Sequence, residues 1–262
     1  MNFTIYYYSA TGNSLHAAKS LGRQLHNCRL LSMPSFRGAE EVKIDTDGVG
    51  FVFPTHYFGL PPLVIEFIKK LNLDKMKYSF AAATCGSRYI TSVLHQLDLL
   101  LRQKNKGLDA GFHIEMISSY IPLSDIPPAE KVKKRLEQAD LKIQKIAEVI
   151  KKQQTGRDSE YLWPASRAIN NHWREKRLSH APGKFSVSES CISCGCCEKI
   201  CPVNNIQMNG KKPQWSNNCQ ECLSCLHFCP TQSIEFGMRT AGRKRYHHPK
   251  IVSSEIIGYK EH

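Results

Sequence analysis

Eight of the eleven cysteines fall into two copies of one spacing. Cys191-x2-Cys194-x2-Cys197-x3-Cys201-Pro202 is followed by Cys219-x2-Cys222-x2-Cys225-x3-Cys229-Pro230, each cysteine 28 residues after its counterpart, with Ile206 and Ile234 matched at the same offset. A repeat of this kind is one small unit duplicated about a pseudo-two-fold axis. Two-residue gaps let a single tight loop offer three sulfurs to three corners of a compact iron–sulfur cubane. The fourth corner faces away, so its thiolate must come from elsewhere in the chain. The proline after the fourth cysteine removes an N–H and fixes φ, turning the backbone aside. Structural zinc also uses CxxC pairs, but usually two separated ones, which leaves the third cysteine and the Cys-Pro unexplained. The chemistry implied is one-electron transfer.

The spacing resembles that of bacterial ferredoxins carrying two [4Fe–4S] clusters, in which the fourth cysteine of each run ligates the other cluster. The resemblance implies one cluster on Cys191, Cys194, Cys197 and Cys229, and a second on Cys219, Cys222, Cys225 and Cys201. Cys28, Cys85 and Cys196 are left over, scattered, with no disulfide framework among them. Cys196 occupies the position of Ser224 in the other copy and reads as a spare neighbour. Cys28 reads as core, and Cys85 as a small buried filler.

These residues need a scaffold, and 262 residues suffice for one substantial domain plus a small one. The start, Met1-Asn2-Phe3-Thr4-Ile5, has no basic leader, and no apolar run approaches membrane-spanning length. A reducing, cytoplasmic, oxygen-poor setting is expected. Formal net charge is +13. Two oxidised cubanes with their thiolates would contribute about −4, and a bound phosphate about −2 more. The excess sits in Lys131–Arg135, Arg174–Arg177 and Arg243–Arg245. No nucleic-acid motif accompanies these runs, so they read as solvated faces or a docking patch for an acidic protein.

The first 150 or so residues alternate strands and helices. Strands are expected at Phe3–Tyr8, Gly48–Phe53, Tyr78–Thr84 and Ala110–Ile117, with a weaker one around Leu30-Leu31. Helices are expected after Asn13, over Leu63–Leu71, Thr91–Arg102 and Glu130–Lys152, the last with an apolar face. That alternation predicts an α/β fold with a parallel sheet covered on both sides. Ligands of such folds sit outside the carboxyl ends of the strands. Three loops at that edge are distinctive. Ser9-Ala10-Thr11-Gly12-Asn13-Ser14 brings hydroxyls, an amide and backbone N–H groups to a helix N-terminus without any lysine or arginine, a nest for a phosphate monoester. Pro54-Thr55-His56-Tyr57-Phe58-Gly59 and Thr84-Cys85-Gly86-Ser87-Arg88-Tyr89 carry aromatics that suit a flat ring. His56, Tyr57 and Arg88 could also position or protonate a substrate, although flavin packing and charge balance account for them.

The first loop resembles the flavodoxin phosphate loop, and the other two resemble the loops flanking a flavin. The resemblance covers roughly residues 1–152 and implies FMN, a doubly wound sheet in the order 2-1-3-4-5, and electron transfer. It implies flavin contacts from Ser9, Thr11, Gly12, Asn13, Ser14, Pro54, Thr55, His56, Tyr57, Phe58, Gly59, Thr84, Cys85, Gly86 and Tyr89. It also implies that the Phe58–Gly59 peptide turns over toward the flavin N5. The whole chain is similar to ferredoxin-fused flavodoxin-like proteins, although flavodoxins tend to be acidic and this chain is basic.

The expected organisation is 1–152 as a flavodoxin-like FMN domain, 153–182 as a linker and bridging helix, 183–238 as a small α+β two-[4Fe–4S] ferredoxin-like domain, and 239–262 as a tail. Within the linker, a helix is expected over Ser166–Leu178 with Ile169 and Trp173 on one side. The expected function is electron transfer between one-electron carriers and a flavin through two clusters. The alternative is a reductase that delivers the electrons to a small organic acceptor. No Gly-x-Gly-x-x-Gly follows any strand, so a nicotinamide cofactor has no evident site. The expected partner is an acidic redox protein such as a ferredoxin, or a redox enzyme.

Overall fold

The computed structural model describes residues 1–258, so the last four residues of the expected tail lie outside the described residues. Six strands form one parallel sheet: β1 (Phe3–Tyr7), β2 (Cys28–Ser32), β3 (Gly48–Pro54), β4 (Tyr78–Cys85), β5 (Ala110–Glu115) and the short β6 (Gly156–Arg157). Their order is β2-β1-β3-β4-β5-β6. β1 and β4 are buried along their whole length, as a parallel sheet with both faces covered requires. Helices α1 (Asn13–Gln24) and α4 (Ala129–Lys151) pack together, as do α2 (Pro62–Lys70) and α3 (Val93–Arg102). The first five strands therefore follow the 2-1-3-4-5 order expected.

The sixth strand departs from expectation. The polar stretch 153–160 was expected to be linker, yet Gly156-Arg157 pairs with Ala110-Gly111 and extends the sheet. Asp158 accepts the His113 N–H at 2.8 Å, and Glu160 accepts the Leu94 and His95 N–H groups at 3.1 and 2.9 Å. Hydrophobicity gave no sign of this strand because its bonds are made by backbone and carboxylates.

The bridging helix is also shorter than expected. α5 spans Trp163–His172 and widens into a π-type turn over Trp173–Arg177. Ile169 is 45 % exposed whereas Trp173 is 1 % exposed. The buried face is Ser166, Asn170 and Trp173, a mostly polar stripe that an apolar pattern could not reveal. Asn170 faces the 56–59 turn, where its Nδ2 donates to the His56 carbonyl at 2.9 Å.

The cysteine-rich part is small and antiparallel. β7 (Phe185–Val187) pairs with β10 (Ile234–Phe236), and β8 (Ile206–Asn209) with β9 (Lys212–Trp215). Two short helices, α6 (Cys196–Ile200) and α7 (Ser224–His227), lie between. Shifted by 28 residues, β7 falls within β9, α6 on α7, and β8 on β10. The backbone follows the repeat more closely still. Ser193, Gly195 and Asn204 have φ of 57°, 70° and 49°, and their counterparts Glu221, Leu223 and Gln232 have 50°, 59° and 51°. Each non-glycine among them carries a strain of order 1–2 kcal/mol, tolerated only where the surroundings over-determine the conformation. The tail closes with α8 (Ser253–Gly258). Among the described residues no helix is long and apolar enough to cross a membrane.

Candidate functional site

The carboxyl ends of β1, β3, β4 and β5 open into a cavity of about 370 Å³. Of the predicted flavin residues, Ser9, Thr11, Asn13, Ser14, Pro54, Thr55, His56, Tyr57, Phe58, Thr84, Cys85 and Gly86 line it together. Among the described residues no lysine or arginine does. α1 begins without a side-chain cap, so its first-turn N–H groups are left for an acceptor in the cavity. The loop side chains are mostly engaged with protein. Ser9 Oγ accepts the Gly12 N–H at 3.1 Å, Ser14 Oγ meets Thr84 Oγ1 at 2.7 Å, and Thr11 Oγ1 donates to Ser119 Oγ at 3.2 Å. Asn13 donates to the Ile117 carbonyl at 3.0 Å and accepts from the Tyr246 hydroxyl at 2.8 Å. Its amide therefore ties three segments together, and the nest consists chiefly of backbone dipoles.

Three predicted residues lie off the cavity lining. Gly12 has φ +92°, and a Cβ there would stand 3.0 Å from the Cβ atoms of His248 and Ile251. It is small because the tail crosses over it. Tyr89 is 66 % exposed, with the Arg88 guanidinium 5.3 Å from its ring, because 87–90 forms a surface loop. Gly59 closes a tight turn in which Tyr57 and Phe58 both have positive φ. A Cβ at Gly59 would lie 2.3 Å from Asn170 Cγ, so close approach of α5 explains the glycine. The Phe58 carbonyl accepts from the Ser92 N–H at 2.9 Å and Ser92 Oγ at 3.0 Å. That arrangement ties the carbonyl to Ser92, a pair of bonds that the expected turnover of the Phe58–Gly59 peptide would have to release.

The opposite wall comes from outside the three predicted loops. Ser118, Ser119 and Tyr120 from the loop after β5, Trp173 from the π turn, and Glu221 and Cys222 from the second cysteine loop all line the same cavity. Tyr57 and Trp173 stack at 4.7 Å with an interplanar angle of 8°. Tyr57 and Tyr120 hydroxyls meet at 2.7 Å, Tyr120 donates to Glu221 Oε1 at 3.0 Å, and Trp173 Nε1 donates to Glu221 Oε2 at 2.6 Å. Burial, and then the Glu221 charge, push the Tyr120 phenol well above its ordinary range. Tyr8, wholly buried, lies beside Cys222; burial and that sulfur hold its hydroxyl strongly protonated. Burial alone pushes His56 down to about 4, so its ring is neutral. Thr55 Oγ1 and His56 Nδ1 are buried without a partner among the described residues, which suits a cavity meant to hold a polar-edged ligand.

The cysteines gather as two crossed sets. Burial, then the charges of Cys222 and Cys201, push Cys219 up to about 12. Burial, then Cys222, Cys219 and Cys201, push Cys225 well up. Cys201 thus sits with the second loop, not its own. Cys191, Cys194, Cys197 and Cys229 line one small space with Cys196 beside them. Burial pushes Cys197 up to about 12, with Cys194 and Cys229 adding to it. Burial opposes ionisation of Cys229, but hydrogen bonds from Ser233 at 3.3 Å and Thr231 at 3.7 Å outweigh it and lower the thiol. Among the described residues no three Cys, His, Asp or Glu side chains converge as a single metal ion would need. Backbone N–H groups point at sulfur: Asn205 to Cys201 at 3.2 Å and Glu221 to Cys219 at 3.3 Å. Cys85 is buried, its thiol pushed up to about 12 chiefly by burial, as an inert filler would be.

The tail, expected to cover either part, returns to the phosphate loop. His248 N donates to the Thr11 carbonyl at 2.8 Å, and its ring stacks on His16 at 4.0 Å.

No protein-family model matches the chain, and a search of curated proteins finds no match. Solved structures give distant likenesses. Rubredoxin oxygen:oxidoreductase from Desulfovibrio gigas is 18 % identical over 58 % of this chain and 36 % of its own, with a TM-score of 0.38. A flavodoxin from Streptococcus pneumoniae TIGR4 is 15 % identical over 55 % of this chain and 99 % of its own, with a TM-score of 0.35. An FMN-dependent NADH-azoreductase from Bacillus anthracis is 9 % identical over 56 % of this chain and 100 % of its own, with a TM-score of 0.34. At these scores the likenesses carry no functional argument.

Proposed function

We propose that the chain is an electron-transfer protein that holds FMN in the cavity and two [4Fe–4S] clusters on the crossed cysteine sets. The single observation that carries this is the shared wall: Cys222 and Glu221 line the same cavity as the Ser9–Ser14 loop. Bound there, FMN supplies one- and two-electron redox chemistry next to a one-electron cluster. The α1 N-terminus and the loop amides would hold its phosphate, a dianion, without cations. Tyr57, Trp173 and Tyr120 would wall the ring system, and Glu221 fixes two of them through hydrogen bonds to Tyr120 and Trp173. The donor sets also suit clusters. All are cysteine, and the duplicated positive-φ residues shape each loop into the kind of backbone concavity that favours anions.

A second reading, a reductase acting on a small acceptor, draws on His56, Tyr57 and Tyr120 in the cavity. Against it, a volume of about 370 Å³ is near the lower end of the roughly 300–1,000 Å³ range for one ligand. A flavin filling it leaves little room for a substrate. Anaerobic reconstitution with iron, sulfide and a mixture of FMN and FAD tests the proposal. The expected product carries FMN and about eight iron atoms per chain. Uptake of FAD, of no flavin, or of zinc in place of iron overturns it.

A further inference from the structure

Resting on the electron-carrier reading, we propose that the loop at the cavity mouth and the basic face of α4 beside it form the docking surface for a small acidic redox protein. Ser87, Arg88, Tyr89 and Ile90 are all exposed, and Ser87 and Ile90 line the cavity on their inner side. Leu123, 65 % exposed, and Ile90, 44 % exposed, both line the cavity, and Tyr89, 66 % exposed, precedes Ile90 in the loop. Two exposed apolar side chains at the opening, with an exposed tyrosine beside them in the loop, form an apolar patch of the kind that marks a contact surface. On its outer side the same loop borders a groove of about 340 Å³ lined by Arg88, Lys131, Lys134, Arg135 and Lys142. The α4 positions recur at helical spacing and share one face.

Charge on that face is not balanced from within. Arg135 reaches Glu115 at 3.8 Å and Lys142 reaches Asp158 at 3.4 Å, while Lys131 and Lys134 have no ion-pair partner among the described residues. Arg135 also donates to the Gly86 carbonyl, which fastens the basic face to the cavity rim. An apolar centre beside a charged rim is the anatomy of a transient interface. The cations select an acidic occupant and steer its approach, with attraction screened beyond about 8 Å at physiological salt. Each encounter moves one electron between the partner's centre and this chain, oxidising one and reducing the other, with no bond made or broken.

The test uses the reconstituted holoprotein, photoreduced anaerobically and mixed with an oxidised, acidic [2Fe–2S] ferredoxin in a stopped-flow instrument. Lys131→Glu/Lys134→Glu should lower the second-order rate constant at low salt at least tenfold and flatten its salt dependence. Lys75→Glu/Lys77→Glu, just before β4 at the opposite, amino end of the strands, should leave both unchanged. Reduction by dithionite should be the same in all three proteins. A holoprotein without flavin or clusters would defeat the carrier reading itself. An intact, dithionite-reducible holoprotein that ignores the α4 reversal, responds equally to the control, or does not react with the ferredoxin overturns the docking surface alone.

Discussion

The two cysteine loops share one spacing and the same left-handed backbone positions, yet their surroundings are opposite. In the first, Ile192, Ser193 and Cys194 are exposed. In the second, Gln220, Glu221, Leu223, Ser224 and Cys225 are buried, and Ser224 donates to the Ala10 carbonyl of the phosphate loop at 2.7 Å. The local repeat sets how sulfurs are presented, while what packs around each loop sets what a cluster bound there would reach. Potentials of such clusters respond to solvent exposure and to hydrogen bonds at sulfur. The duplicated unit therefore gives two unlike ends, one open to solvent and one walled against the cavity at the carboxyl ends of the strands.

The largest test of that contrast removes a crossing ligand. Cys201→Ala should cost the cluster of the buried loop, lowering iron from about eight to about four per chain, and Cys196→Ser should leave about eight. Iron analysis with EPR distinguishes them, and loss of the exposed-loop signal in Cys201→Ala would break the crossed assignment. Next, matched positions should respond unequally. Leu223 is 2 % exposed, so Leu223→Ala should destabilise the holoprotein by about 2–5 kcal/mol in denaturant melts. Its counterpart Gly195 has φ +70° and open space around it. Gly195→Ala should cost only about 1 kcal/mol, the backbone penalty. Equal losses would mean the two loops are equally packed.

A third effect is a pH dependence in the tail that crosses Gly12. Burial pushes His248 down to about 3, against roughly 6.5 in an unfolded chain. Between those values the unfolded state binds the extra proton, so this contribution is complete above about 6.5 and is lost as pH falls toward 3. The melting temperature should drop from pH 7 to pH 4.5, and His248→Asn should flatten that drop.

Much of this arrangement was readable from residue order. β-branched and aromatic runs between polar loops mark the first five strands, and the offset of 28 residues carries over from cysteines to backbone angles. The far wall of the cavity was not readable. Trp173 was expected to share a side with Ile169, but its buried neighbours are the polar Ser166 and Asn170, so the apolar pattern did not aim it at the cavity. Glu221 looks like a solvated residue between two ligands, and only the fold brings Trp173 and Tyr120 to its carboxylate. The close contacts at Gly59 and Gly12 were hidden for a related reason. Each glycine makes room for a distant segment, and close approach of that kind leaves no mark in local sequence.

The central claim is that the buried cysteine set and the flavin cavity form one electron-transfer unit. Flash photoreduction of the FMN in the anaerobic holoprotein, followed by absorbance of flavin and clusters, tests it most directly. The account predicts electron passage to a cluster at a rate independent of protein concentration, abolished in Cys201→Ala. A rate proportional to protein concentration, or one unchanged in Cys201→Ala, would contradict it.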